Sequence, residues 1–363
     1  MMNKKDAKIL FITMIILSVF GIIMITSASS IWAKYRFNDA FHFTKLQTIY
    51  FLVSILASFI ISKMDMKILK DKCNIILLMC FILLVIVLIP GIGQIRNGSR
   101  SWFKIGPFGL QPSEFSKIGL IIYTAKYLAK NKKEVSNVRN VILPLMGVLF
   151  LFFGLIMLEP DFGTGMVIVL TILAMVFVSG TKLSFFAYLF FLGLLGITGL
   201  IIIAPYRIKR IVAFLNPWSD PLGSGYQIIQ SLYAIAPGGL LGLGFGKSIQ
   251  KQFYLPEPQT DFIFAIISEE FGFLGVLIVS LLFFIIFKKI INISLRQTDV
   301  FYKFLCMGLG MQIIIQAMLN LCVVVGLIPV TGVTLPFLSY GGSSLLISII
   351  SISIILNIAN NKK

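Results

Sequence analysis

The chain has 363 residues, 58% of them hydrophobic and only 12% charged, with a mean hydropathy of +0.98. Soluble domains carry about twice that charge fraction, and no polar stretch is long enough to enclose a core of its own, so a soluble globular class is excluded. A formal net charge of +17 would point to nucleic acid in a soluble protein; here it marks cytoplasmic helix ends and contact with anionic lipid, and no nucleic-acid partner is expected.

The fold class expected is all-α, a polytopic integral membrane protein built as a single membrane domain over residues 1–363. Ten apolar segments read as helices, near 8–28, 46–63, 74–91, 112–130, 140–158, 165–181, 183–204, 262–287, 301–328 and 343–359. Most are close to the roughly 18–20 residues that cross a bilayer. Lys4, Lys5 and Lys8 precede the first run and Ser27-Ala28-Ser29 follows it, as in a signal peptide. The run from Ile9 to Thr26 is longer than the usual apolar core of about 7–15 residues, so it reads as a retained helix. Basic residues gather at alternate helix ends, among them Lys63, Lys67, Lys70, Lys126, Lys130, Lys132, Lys133, Lys288 and Lys289. The positive-inside rule then places both termini in the cytoplasm of a multi-pass membrane protein.

Half of the acidic residues fall at the other, outer ends: Asp39, Glu114, Glu159, Asp161, Asp220, Glu257 and Asp261. The loop 205–261, between the seventh and eighth helices, is the longest stretch that does not span. It begins with the turn-rich Asn216-Pro217-Trp218-Ser219-Asp220-Pro221, continues as an amphipathic helix from Tyr226 to Ile235 expected to lie at the interface, and then runs through Pro237 to Gly246, rich in glycine. Gly246-Lys247-Ser248 looks like the end of a phosphate-binding P-loop, but Leu241 stands where that pattern needs glycine and no strand precedes it. Glu269 and Glu270, a few turns down the eighth helix, are expected to pair with polar groups across the bundle.

His42 is the only histidine, which removes Ser-His-Asp triads, histidine-based zinc sites and histidine proton relays. Cys73, Cys80, Cys306 and Cys322 form no Cys-x-x-Cys pair and read as buried thiols. Acid–base chemistry is left to carboxylates, Lys, Tyr or water. Asp261, where Leu255-Pro256-Glu257-Pro258-Gln259-Thr260 turns into an apolar helix, is either a base or, like Thr260, a helix cap. Glu114 and Lys117 share a helix face, as an ion pair or as the lining of a cavity. Asp161, in the tight Glu159-Pro160-Asp161-Phe162-Gly163 turn, is a cap or a binding carboxylate. The cationic loop Arg96 to Lys104 holds Arg100 and Trp102, suited to a phosphate or pyrophosphate or, for Trp102, to the aromatic belt. Pro336 to Ser344, including Ser339, can cap or bind.

Taken together and in this order, these motifs resemble the SEDS family (shape, elongation, division and sporulation), which includes FtsW, RodA and SpoVE. The matching pieces are Asn97-Gly98-Ser99-Arg100-Ser101-Trp102, Gln111-Pro112-Ser113-Glu114 with Lys117, Pro160-Asp161-Phe162-Gly163-Thr164, the loop from 216 to 261, and Pro336 to Ser344. Tyr206-Arg207-Ile208-Lys209-Arg210-Ile211 and Asn216-Pro217-Trp218 look closest to the SpoVE and FtsW branch. Glu159 departs from the pattern, in which Gln is more often expected before the proline. The resemblance implies a ten-helix peptidoglycan glycosyltransferase that polymerises lipid II at the outer membrane face in division or sporulation, by inverting hexosyl transfer from an undecaprenyl-pyrophosphate donor. It implies a class B penicillin-binding protein (a transpeptidase) as partner, with lipid II and the undecaprenyl-pyrophosphate-linked glycan as substrates and other division or sporulation membrane proteins alongside. By the same resemblance Asp261 is the catalytic residue, and Glu114, Lys117 and Asp161 match functional positions. Arg100, Trp102 and Ser339 join them as substrate-binding candidates. A divalent cation, Mg²⁺ or Mn²⁺, held on carboxylates is an open possibility. The competing readings are a lipid II flippase, which would use Glu269 and Glu270 as deeper charges, and a scaffold in which Asp261 is dispensable.

Overall fold

A computed structural model describes residues 2–96, 98–106, 108–203 and 214–360. Asn97 and the Tyr206–Ile211 stretch, singled out in the sequence, lie outside these. The helices are α1 (Met2–Phe37), α2 (His42–Lys63), α3 (Lys67–Asp71), α4 (Cys73–Leu88), α5 (Pro112–Lys130), α6 (Leu143–Leu158), α7 (Phe162–Val178), α8 (Leu183–Ile203), α9 (Tyr226–Ile235), α10 (Ile263–Leu295), α11 (Val300–Val324) and α12 (Gly342–Asn360). Each of the ten apolar segments is a helix. Among the described residues, six helices are long and apolar enough to cross a membrane and three more are shorter and apolar; α5 is the tenth, its hydropathy diluted by Glu114, Lys117, Lys126 and Lys130. The chain is a multi-pass membrane protein.

Several elements differ from expectation. At 1.5 Å per residue, α1 is about 54 Å long, well beyond the ~30 Å hydrocarbon core, so it projects past the bilayer. The cationic loop after α4 is an antiparallel sheet, β1 (Gln94–Arg96), β2 (Ser99–Ile105) and β3 (Phe108–Leu110), in the order β1-β2-β3. Its register pairs Gln94 with Trp102, Ile95 with Arg100, and Phe103 with Leu110. α9 has the expected bounds, but its apolar face packs on protein: Ile228, Ile229 and Ala234 are buried, and the Ser231 hydroxyl donates to the Val324 carbonyl at 2.7 Å. Its buried apolar side packs on α10 and the end of α11, while Tyr233 on the other side stays exposed.

α11 is central, packed against α5, α7, α10 and α12, while α1 packs on α2, α10 and α12. Polar side chains join helices where apolar packing carries little preference in lipid: Ser353 of α12 donates to Ser58 of α2 at 2.7 Å, and Asn357 donates to the Ile61 and Met64 carbonyls at 2.7 and 2.9 Å. Between α11 and α12 the chain dips into the bundle without helical structure. Leu335, Phe337, Leu338 and Ser339 are buried there, against the middle of α1, where a Cβ on Gly21 would stand 2.5 Å from the Phe337 carbonyl oxygen. Irregular backbone at this depth is tolerated because protein surrounds it.

Candidate functional site

The N-terminus of α5, the start of α7, the 255–262 turn, the C-terminal half of α11 and the 331–344 segment meet at one end of the bundle. Pro112 occupies the first turn of α5, where its missing N–H costs nothing, and Glu114 follows in the same turn, favoured by the helix dipole. One turn on, the Lys117 ammonium lies 2.7 Å from Glu114 Oε2 and 2.8 Å from Gln316 Oε1. Both charged side chains are almost completely buried, so the pair survives only because each charge neutralises the other. The Gln316 amide in turn donates to the Thr334 carbonyl at 3.0 Å and to the Ser344 hydroxyl at 3.2 Å. Ser343 accepts from the Gln111 amide N–H at 3.1 Å and donates to the Gly109 carbonyl at 3.2 Å, which ties β3 and α5 to α12.

One turn beyond Gln316, Asn320 donates to the backbone carbonyls of Asp261 and Val333, both at 2.7 Å. The Tyr340 N–H donates to the Gln259 carbonyl at 2.8 Å. The Asp261 backbone is therefore fixed from two sides while its carboxylate accepts a bond from the Thr260 hydroxyl at 2.9 Å. Burial raises the Asp261 carboxyl to about 6, against the lowering effect of the Thr260 and backbone hydrogen bonds, and Glu257 adds to the rise. Neither Thr260 nor Asp261 caps α10: the N-cap is Phe262, without a side-chain cap bond.

Asp161 does cap α7, accepting from the Thr164 N–H at 3.1 Å. Its other oxygen accepts from Gln111 Nε2 at 2.7 Å and from the Ser113 hydroxyl at 3.2 Å, which joins it to the start of α5. The preceding Glu159 is fully buried, and burial together with the Asp161 charge pushes its carboxyl up to about 9. The Ser99 hydroxyl of β2 donates to the Glu159 carbonyl.

The candidates are not equally close. Glu114, Lys117, Asp161 and Asp261 are linked through Gln111, Ser113, Gln316 and Asn320. Ser339 shapes the 335–339 turn, its hydroxyl accepting from the Leu335 N–H at 2.8 Å and its carbonyl accepting from Gln47 at 3.1 Å. Arg100 turns toward the end of α4, donating to the Leu88 carbonyl at 3.4 Å, and Trp102 pairs with Gln94 within the sheet. Among the described residues no group of three or more His, Cys, Asp or Glu side chains converges to hold a metal. The Asp261 surroundings are neutral amides and hydroxyls with Glu257 nearby, which gives a divalent cation no resident cage.

Sequence reasoning overlooked Gln316 and Asn320. The signal was present: Gln312, Gln316 and Asn320 recur every fourth residue in an otherwise apolar run, a polar stripe along one face of α11.

Comparison with known proteins decides the family. The model of the cell cycle proteins FtsW, RodA and SpoVE matches residues 7–363. The chain belongs to this family. It is 49% identical to stage V sporulation protein E of Bacillus subtilis over 98% of this chain and 97% of that protein. It is 41% identical to the probable peptidoglycan glycosyltransferase FtsW of Trichlorobacter lovleyi, over 98% and 93%. In structure, family membership is equally plain. A chain of a peptidoglycan synthase complex that coordinates polymerisation and crosslinking superposes with a TM-score of 0.82 at 28% identity, covering 97% of each chain. The rod shape determining protein RodA of Thermus thermophilus superposes at 0.72 and 25%, over 97% and 96%.

Proposed function

We propose that this chain is a peptidoglycan glycosyltransferase that polymerises lipid II at the outer membrane face, with Asp261 as general base, in division or sporulation. The observation that carries the reading is the Asp261 carboxylate, fixed through its backbone by Asn320 and joined along α11 to the buried Glu114–Lys117 pair. A carboxyl raised to about 6 is ionised at neutral pH yet basic enough to take a proton. A sugar hydroxyl of lipid II gives its proton to Asp261 as the oxygen attacks the anomeric carbon of the growing chain. The bond from that carbon to the pyrophosphate oxygen breaks on the opposite side, its electron pair leaving with undecaprenyl pyrophosphate, so the anomeric centre inverts. Lys117 is the cation assigned to the leaving charge by the resemblance, with Asp161, through Gln111 and Ser113, holding the start of α5 in place. Arg100 and Trp102 on β2, and Ser339, are assigned as substrate contacts on the family resemblance. The names of the similar proteins support the reaction, and the synthase complex supports a class B penicillin-binding protein as partner. Glu269 and Glu270, the residues that favour a flippase, are engaged by Ser248, Ile249 and Lys251 of the loop before Asp261, which favours the enzyme.

The test is lipid II polymerisation by the purified full-length chain, alone and with class B partners, in Mg²⁺ or Mn²⁺. Wild type is expected to give glycan ladders whose rate falls on an acidic limb near pH 6, and Asp261→Asn to fold and give none. Ladders from Asp261→Asn would overturn the assignment of the base. Lipid II transfer across vesicles without polymerisation would overturn the reaction.

A further inference from the structure

α10 is interrupted near its start. Gly272 has φ 61° and ψ −156°, a conformation essentially confined to glycine. In an unbroken helix Phe273 N–H would bond to the Glu269 carbonyl and Leu274 N–H to the Glu270 carbonyl. The glycine-rich segment enters the gap instead. Leu243 and Gly244 donate to the Glu269 and Glu270 carbonyls at 2.9 and 3.0 Å, while Phe273 and Leu274 donate to the Gly239 and Leu240 carbonyls at 2.9 and 3.1 Å.

The side chains at the break grip the next stretch of the same loop. Glu269 accepts from the Ser248 hydroxyl and from the Ile249 N–H, the latter at 2.8 Å. Glu270 accepts from the Lys251 ammonium at 2.9 Å and from the hydroxyl of Ser27 on α1 at 2.6 Å. Glu269 and Glu270 are completely buried and Lys251 is 5% exposed. Burying these charges carries a large desolvation cost before pairing, a poor route to stability where apolar side chains would fill the same space. What charged hydrogen bonds supply is a fixed direction for a loop backbone. That loop leads directly to Asp261, and the helical stub carrying both acids, residues 263–271, begins directly after it. The loop thus leaves and rejoins one rigid piece.

We propose that Glu269, Glu270 and Lys251 are positioning residues for Asp261, locking residues 248–262 onto the first segment of α10 so that its carboxylate is held in one place. The inference rests on the reading of Asp261 as the base. The charged group acting on Asp261 is Glu257 from its own loop, and α11 faces it with neutral Asn320. A loosened loop would admit water to the carboxylate and return it toward its ordinary acidity.

The experiment measures polymerisation against pH and lipid II concentration for the full-length chain, with its class B partner, as wild type, Glu270→Gln, Lys251→Met and Lys251→Arg. The expected result is a kcat lower by about tenfold or more in Glu270→Gln and Lys251→Met, a nearly unchanged KM, and an acidic limb moved below its wild-type position. Lys251→Arg should recover much of both. A rate that falls only with the amount of folded protein, its limb unmoved, would overturn the proposal. If those variants do not fold, Ser27→Ala, which removes the hydroxyl's hydrogen bonds to Glu270 and from Lys251 and keeps the ion pair, should shift the limb in the same direction, and an unmoved limb there is equally decisive against it. Activity in Asp261→Asn strikes the assignment of the base, whereas inactive Asp261→Asn with unmoved limbs in the others strikes this inference alone.

Discussion

Glu159 is the residue in which this chain departs from the Gln more often expected by resemblance, and its setting explains why the departure is tolerated. Fully buried beside Asp161, its carboxyl is raised to about 9, so at neutral pH it is a neutral group with the size and polarity of an amide. The raised value has a definite consequence for stability. Between the ordinary carboxylate range and about pH 9 the unfolded chain has lost this proton while the folded chain retains it, so stability falls as pH rises through that window. Glu159→Gln removes the titration. It is expected to match wild type near pH 5 and to be more stable at pH 7, by on the order of 3 kcal/mol, with polymerisation retained. Apparent unfolding midpoints in nanodiscs from pH 5 to 8.5 check this. Curves that stay parallel would mean that Glu159 ionises freely and that Asp161 bears a neighbouring charge.

At the scale of elements, α10 decides the geometry of the site because it is two segments joined by an inserted strand of backbone. A Cβ at residue 272 would lie 2.4 Å from the Gly242 nitrogen and force an L side chain into a conformation costing about 1–3 kcal/mol by itself. Gly272→Ala is therefore expected to lose at least about 2 kcal/mol and to unseat the 239–244 segment. Hydrogen exchange should show the Leu243, Gly244, Phe273 and Leu274 amides, protected in wild type, exchanging faster in the variant; unchanged protection would mean that the break is not held by the insertion. The ten helical segments and α9 were legible because each rests on local apolar pattern. The break was not, because Gly272 in Glu270-Phe271-Gly272-Phe273 reads as an ordinary helical glycine, and what opens the helix arrives from some thirty residues upstream. Asp161, Glu114 and Lys117 were visible as charges in apolar surroundings, whereas their connections through Gln111, Ser113 and Gln316 depend on how α5, α7 and α11 pack. The β1–β3 sheet was hidden by its polar composition, and Arg100 and Trp102 thereby belong to strands rather than to a free loop.

Across the whole molecule the reaction requires Asp261 to face away from the cytoplasm, since the growing glycan lies outside. The ends of α1, α4 and α6 and the starts of α5, α7, α10 and α12 share one side with Asp261, by the alternation of the helices. The opposite side carries Lys63, Lys67, Lys70, Lys132, Lys133 and Lys182, and there Asp6 binds Lys289 and Arg296 at 2.7 and 2.8 Å, clamping the first turns of α1 to the end of α10. Loops so rich in Lys and Arg are retained in the cytoplasm. The orientation can be read with single cysteines. Cys73, Cys80 and Cys306 are buried and Cys322 is half-buried, so a Cys322→Ala background keeps labelling low. Leu222→Cys, at a position 89% exposed in the loop before α9, is expected to react with a membrane-impermeant maleimide in intact cells. Lys133→Cys, exposed beyond α5, is expected to react only after permeabilisation. The reverse pattern would put Asp261 in the cytoplasm, where an enzyme that releases polymer outside has no access to its product, and would return the choice to a protein that moves the lipid rather than joins it.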